Sequence, residues 1–126
     1  MEYISAEEFL KQPVEVQKIF IDWWKPQIDS YDIVQHIITE EISLAGYYQD
    51  FYESGFVSLL TEGQLRKFIE DKTLSKITML YMFSGGYDLI LNYLDSDETY
   101  RNLGCNLLQA YWKVACEIAK EVIDNE

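Results

Sequence analysis

Apolar residues recur at three-and-four spacing through the last quarter of the chain, at Leu103, Leu107, Leu108, Tyr111, Ala115, Ile118, Ala119 and Val122. That period places them on one face of a helix, with Lys113, Glu117, Lys120 and Glu121 on the other. The pattern predicts a helix over Tyr100 to Ile123, about two dozen residues and roughly 36 Å long, on which the remainder packs. Asp95-Ser96-Asp97-Glu98 offers it an N-cap and an acidic first turn that suits the helix dipole.

Upstream, Ser5-Ala6-Glu7-Glu8 has the form of a capping box and opens a short helix. Pro13 suits the first turn of a second helix, where its missing amide is not needed. Val16, Ile19, Phe20, Trp23 and Trp24 give that helix its apolar side, and Lys25-Pro26 ends it. Adjacent tryptophans on such a helix are expected to split, one ring in the core and one half exposed. Thr61-Glu62-Gly63-Gln64 is a second capping box, for a helix with Leu65, Phe68 and Ile69 inside and Asp71-Lys72-Thr73 at its end.

Between these blocks the period changes. Ile33, Val34, Ile37 and Ile38 fit a helix by spacing and a strand by β-branching, and the segment from Gln27 is read as strand and irregular structure with turns at Gly46 and Gly55. Ile77 to Phe83 and Tyr87 to Leu94 flank Gly85-Gly86 as the arms of a hairpin. The expected register sets Leu80 opposite Leu91 and Met82 opposite Leu89 on one side, with Phe83 opposite Asp88 and Met79 opposite Asn92 on the other. Leu89, Ile90, Tyr93 and Leu94 also have helical spacing, which keeps a helix open as the alternative. The fold class that follows is α+β over a single domain, 1–126. Helices lie at both ends and in the middle, and the long C-terminal helix packs on a small antiparallel hairpin or sheet.

Composition narrows the functional classes. The chain has 126 residues, 48% of them hydrophobic and 15% aromatic, enough for a real core. No apolar run reaches the length of a membrane span, and the opening residues lack the basic flank and apolar centre of a signal peptide, so a cytoplasmic location is expected. Cys105 and Cys116, both on the expected helix and roughly 16 Å apart along it, read as buried thiols beyond disulfide reach. Acids number 22 against 10 Lys and Arg, a net charge of -12. Such a chain repels nucleic acid and anionic lipid and attracts basic protein surfaces; the same charge also serves solubility.

Catalytic signatures are missing. The one histidine, His36, has no nucleophile elbow or Cys-His pattern around it and reads as structural. Two thiols at helical separation do not make a zinc site, and Asp95, Asp97 and Glu98 are only a fragment of a calcium loop. Ser84-Gly85-Gly86-Tyr87 lacks the lysine of a phosphate cradle. Glu40 and Glu41, adjacent in the chain, do not converge as an acid-base pair. No cofactor and no metal are expected. What remains is an acidic, tyrosine-rich surface: no Lys or Arg occurs from Gln27 to Leu65. Its candidate partner-binding residues are Asp29, Asp32, Glu40, Glu41, Tyr47, Tyr48, Asp50, Tyr52 and Glu53, backed by Asp95, Asp97 and Glu98. Tyrosine supplies contact area with a polar tip, and carboxylates steer toward a basic groove and approximate the charges of a nucleic-acid backbone.

Three blocks, EEFLKQPVEVQKIFIDWWKP, LLTEGQLRKFIEDKT and YRNLGCNLLQAYWKVACEIAKE, resemble a family of small, mostly uncharacterised acidic proteins encoded by phages and prophages of Gram-positive bacteria. The likeness spans about half the chain and brings no assigned catalytic residues. It implies a non-enzymatic inhibitor of a host defence complex, anti-CRISPR-like, whose partner presents a basic nucleic-acid-binding surface. Two other readings stand beside it: an accessory protein that binds a replication or transcription factor through an apolar patch at Trp23 and Trp24, and a small ligand-binding protein or enzyme built on the tyrosine-rich segment with His36.

Overall fold

The computed structural model describes residues 2–29, 31–46, 55–83, 86–94 and 96–125, with the backbone alone for 79–83. The fold is α+β, and the chain divides into two compact units, Tyr3–Leu60 and Thr61–Glu126 with Met1–Glu2.

The first unit begins with α1 (Ala6–Leu10), where the Ser5 hydroxyl accepts the Glu8 amide at 3.1 Å as the capping pattern requires. Helix α2 (Val14–Trp24) follows Pro13 and runs into a single 3-10 turn at Lys25–Gln27, because proline at position 26 cannot supply the next amide. Phe9 and Phe20 join the two helices edge to face, with ring centroids 6.2 Å apart. Both tryptophans are buried, Trp24 at 1% and Trp23 at 9% exposure, which corrects the expected split. Trp24 carries its polar edge inward because Asp32 is there to take the indole N–H at 2.8 Å.

Strands then replace the ambiguous pattern. β1 (Ile33–His36) lies between β2 (Ile42–Leu44) and β3 (Phe56–Ser58), both antiparallel to it. Val34 and Val57 are buried, and Leu59 and Leu60 continue the buried run past β3. The amide of Ile4 donates to the carbonyl of Leu60 at 2.8 Å, so the N-terminal segment runs beside the end of β3.

In the second unit, α3 (Glu62–Thr73) opens with the complete capping box: the Thr61 hydroxyl accepts the Gln64 amide, and the Gln64 side chain accepts the Thr61 amide at 2.9 Å. β4 (Lys76–Phe83), β5 (Gly86–Asn92) and β6 (Asp97–Tyr100) form an antiparallel sheet in chain order. Helix α4 (Leu107–Asp124) packs against α3 and β5, with Leu89 and Leu91 of the sheet fully buried.

Three expectations need correction here. Helix α4 starts at Leu107 rather than near Tyr100, because Asp97–Tyr100 pairs with β5 as a third strand and Asn102 and Gly104 both take left-handed backbone angles that interrupt a helix. Asn106 is the cap, its side-chain oxygen accepting the Gln109 amide at 2.9 Å. Cys105 therefore precedes the helix and is exposed, while Cys116 lies on it and is buried; both are free thiols. The buried arc of α4 is also wider than one stripe, taking in Ala110, Trp112, Val114 and Cys116, since the helix covers neighbours on two sides.

The hairpin exists, but two residues out of the expected register. Leu80 pairs with Leu89, Met82 with Tyr87 and Phe83 with Gly86, and past an irregularity between Ile77 and Met79 the ladder continues as Ile77 with Leu91. Gly86 is a strand residue because the chain returns against it: a β-carbon there would sit 2.5 Å from the Gly104 carbonyl oxygen, and Tyr87 donates to that oxygen at 2.8 Å. At the irregularity, Arg66 and Glu70 of α3 satisfy the carbonyl and the amide of Ile77, at 3.2 and 2.9 Å.

Candidate partner-binding surface

The turn between β1 and β2 is built around His36. Its Nδ1 accepts the amides of Ile38 and Thr39, each at 3.2 Å, so that nitrogen presents a lone pair and the neutral ring carries its hydrogen on Nε2. Phe56 meets the ring edge-on at 5.0 Å, and a β-carbon at Gly55 would stand 3.2 Å from Nε2. Glu40 bonds back to the His36 carbonyl through its amide and takes a left-handed φ of 61°. Gln35 clamps the Glu40 carbonyl at 3.0 Å, and Glu41 donates its amide to the Thr39 hydroxyl. With the backbone tied in, the side chains of Ile38, Glu40 and Glu41 point out and are exposed.

Beside this turn runs a cleft of about 590 Å³, with Glu7, Leu10 and Lys11 of the α1 region on one wall and Gln35, Ile37 and Glu40 on the other. Lys11 is paired with Glu7 at 3.4 Å, and among the described residues no ion pair meets the Glu40 carboxylate across the opening. A cleft of that size with mixed walls can hold one long side chain or a short extended segment.

At the other end of the β1–β2 pair, acids serve the fold. Asp29 Oδ1 accepts the Tyr31 amide at 2.9 Å, and Asp32 Oδ2 accepts both the Trp24 indole and the Asp29 amide. Asp29 is exposed and Asp32 half-buried. Asp29–Asp32 and Glu40–Glu41 thus form two carboxylate groups at the two ends of β2, where the Ala45 amide donates to the Asp32 carbonyl and the His36 amide of β1 donates to the Glu41 carbonyl.

Asp97 and Glu98 belong to the second unit, on β6. Asp97 accepts from the Asn92 amide group at 2.8 Å, and Glu98 accepts two phenol hydroxyls, Tyr93 on Oε2 and Tyr100 on Oε1, each at 3.0 Å. Burial, then the bond and charge of Glu98, hold both phenols above their ordinary titration range. Burial and the nearby Glu98, Glu117 and Asp124 raise the Glu121 carboxyl. Tyr47, Tyr48, Asp50, Tyr52, Glu53 and Asp95 lie outside the described residues. Among the described residues, no Lys or Arg pairs with Asp29, Glu40, Glu41, Asp97 or Glu98.

Sequence reasoning missed two contributors. Ile42 and Leu44 of β2 are 49% and 55% exposed on one face; the signal was the alternation Ile-Ser-Leu directly after two acids. Tyr93 and Tyr100 were passed over because they flank what read as a helix start. Among the described residues no helix is long and apolar enough to cross a membrane, and no group of three or more potential ligands could hold a metal ion. No protein-family model, curated protein or solved structure matches the chain.

Proposed function

We propose that this chain is a binding protein that occupies a basic, nucleic-acid-handling surface of another protein. The observation that carries the reading is the pair Glu40 and Glu41: exposed carboxylates on a backbone-locked turn, uncompensated among the described residues, in a chain of net charge -12. A preorganised pair of charges on a tied turn loses little entropy on binding, and the acidic chain around it speeds approach to a cationic partner. The likeness of the three sequence blocks to phage and prophage proteins makes a bacterial defence complex, a CRISPR effector first, the partner class to test. Inhibition follows from occupancy, since a groove filled by carboxylates cannot also hold phosphates.

The test is affinity capture from a Gram-positive lysate with wild type and with Glu40→Lys/Glu41→Lys. A recovered nucleic-acid-binding protein should be released by competing double-stranded DNA and by salt of about 0.5 M, where the screening length is only a few ångströms, and should not bind the charge-reversed variant. Capture that survives DNA, salt and reversal together overturns the reading.

A further inference from the structure

In an antiparallel ladder, alternate residues turn their backbone groups toward the neighbouring strand and the rest turn away. The His36 amide on the Glu41 carbonyl and the Ala45 amide on the Asp32 carbonyl fix which is which: Glu41, Ser43 and Ala45 face β1. Ile42 and Leu44 therefore direct their N–H and C=O groups off the edge of the sheet. No other described residue takes them up.

The opposite edge is treated differently. Ile37 to Gly55 and Leu59 to Ile33 bonds turn Phe56, Ser58 and Leu60 outward on β3, and there the Ile4 amide closes on the Leu60 carbonyl. Covering strand edges is the usual protection against unwanted pairing. β2 has instead two half-exposed aliphatic side chains on one face, Ile42 and Leu44, whose register partners are Gln35 and Ile33. Its flanks are acidic at both ends, Glu40 and Glu41 before it and the Asp29–Asp32 loop bonded beside its far end.

We propose that β2 is a docking edge that takes an extended, basic segment of the partner as a fourth strand of this sheet. This rests on the reading above of an acidic protein meeting a basic partner and adds how the contact is made. Backbone bonds to Ile42 and Leu44 give the added strand its hold, aliphatic side chains at alternate positions lie against Ile42 and Leu44, and Lys or Arg on either side meet the carboxylates. A second copy of the chain is the poorer occupant, because it brings another net charge of -12 to the same edge.

A synthetic peptide, acetyl-Lys-Arg-Val-Thr-Ile-Lys-Arg-amide, is the probe, titrated into the whole protein with amide exchange read at Ile42 and Leu44. Binding should slow exchange at both amides by about tenfold or more, as expected for edge amides gaining a bond. Leu44→Pro should weaken binding by about tenfold, the equivalent of one lost backbone bond. Its amide points away from β1, so proline there leaves the existing ladder intact. As a check that leaves the protein unaltered, the peptide N-methylated at Val and Ile should fail to bind. Peptide binding without protection at Ile42 and Leu44, or binding indifferent to both N-methylation and Leu44→Pro, overturns the proposal. So does concentration-dependent protection of these amides in the free protein, which would assign the edge to a second copy. Glu40→Gln/Glu41→Gln separates the two readings. If it spares binding that Leu44→Pro weakens, the edge stands and the basic-partner reading falls; if it abolishes binding that N-methylation spares, the reverse holds.

Discussion

The Trp24 indole N–H donates to the Asp32 carboxylate at 2.8 Å and thereby ties the last residue of α2 to the entrance of β1. Because Trp24 is almost fully buried, removing the carboxylate takes a hydrogen-bond acceptor from a largely desolvated ring. Asp32→Ala should lower unfolding stability by about 1–3 kcal/mol, seen as a lower urea midpoint with an unchanged slope. Asp32→Asn keeps an oxygen in place and should lose less. Any loss of partner binding in Asp32→Ala should follow the stability loss, whereas Glu40→Gln and Glu41→Gln should leave the midpoint within about 0.5 kcal/mol of wild type.

The phenol of Tyr100 shares the Glu98 carboxylate with Tyr93. Both phenols are held protonated in the fold by burial first and by Glu98 second, so their folded titration lies above the ordinary value of 10.0. The folded state therefore holds these protons more tightly than the unfolded state. Stability from them is fully present below the ordinary tyrosine value and is lost as pH rises through the raised one. Resistance to thermal unfolding should fall steadily above about pH 10. Tyr100→Phe should flatten that decline, and a melting temperature that falls equally in both proteins would refute this assignment.

What the sequence made legible was local chemistry. The Thr61 capping box needs only residues three apart, and Gln64 and Thr61 meet as the spacing requires. Pro13 and Lys25-Pro26 bound α2 for reasons internal to that segment. The errors arose where a distant part of the chain decides. Asp97–Tyr100 reads as a helix start until β5 offers it a ladder, and Gly86 reads as a turn until the backbone at Gly104 closes on it. The candidate surface shows the same division. The missing cations between Gln27 and Leu65 marked the acidic segment, but only folding reveals that Asp32 is spent on an indole while Glu40 and Glu41 remain outward.

Leu74 caps α3 at φ 54°, ψ 35°, a left-handed position for which glycine is the usual choice, and its side chain is 90% exposed. A β-carbon strains that backbone, and an exposed side chain gives little in return. Leu74→Gly should therefore stabilise the protein by about 0.5–1 kcal/mol, measured as a raised urea midpoint. A neutral or destabilised variant would mean that the Leu74 side chain, which lines a surface groove with Tyr93 and Leu94, contributes packing that its exposure does not suggest.

Two glycines should respond oppositely to the same methyl group. Gly63 sits in the first turn of α3 with nothing within 4 Å of where a β-carbon would stand, so Gly63→Ala trades backbone entropy for helix propensity and should stabilise by up to about 1 kcal/mol. Gly86 has a φ of 106°, and a β-carbon there would meet the Gly104 carbonyl oxygen, carbon and nitrogen at 2.5 to 2.6 Å. Neither backbone can retreat freely, because the Tyr87 amide holds the Gly104 carbonyl and the Leu103 amide holds the Tyr87 carbonyl. Gly86→Ala should thus cost about 3 kcal/mol or more, with the loss visible in denaturant unfolding and in faster amide exchange at Leu103 and Tyr87. If Gly86→Ala unfolded no more readily than wild type, the return of the chain against β5, and with it the register of the whole hairpin, would have to be redrawn.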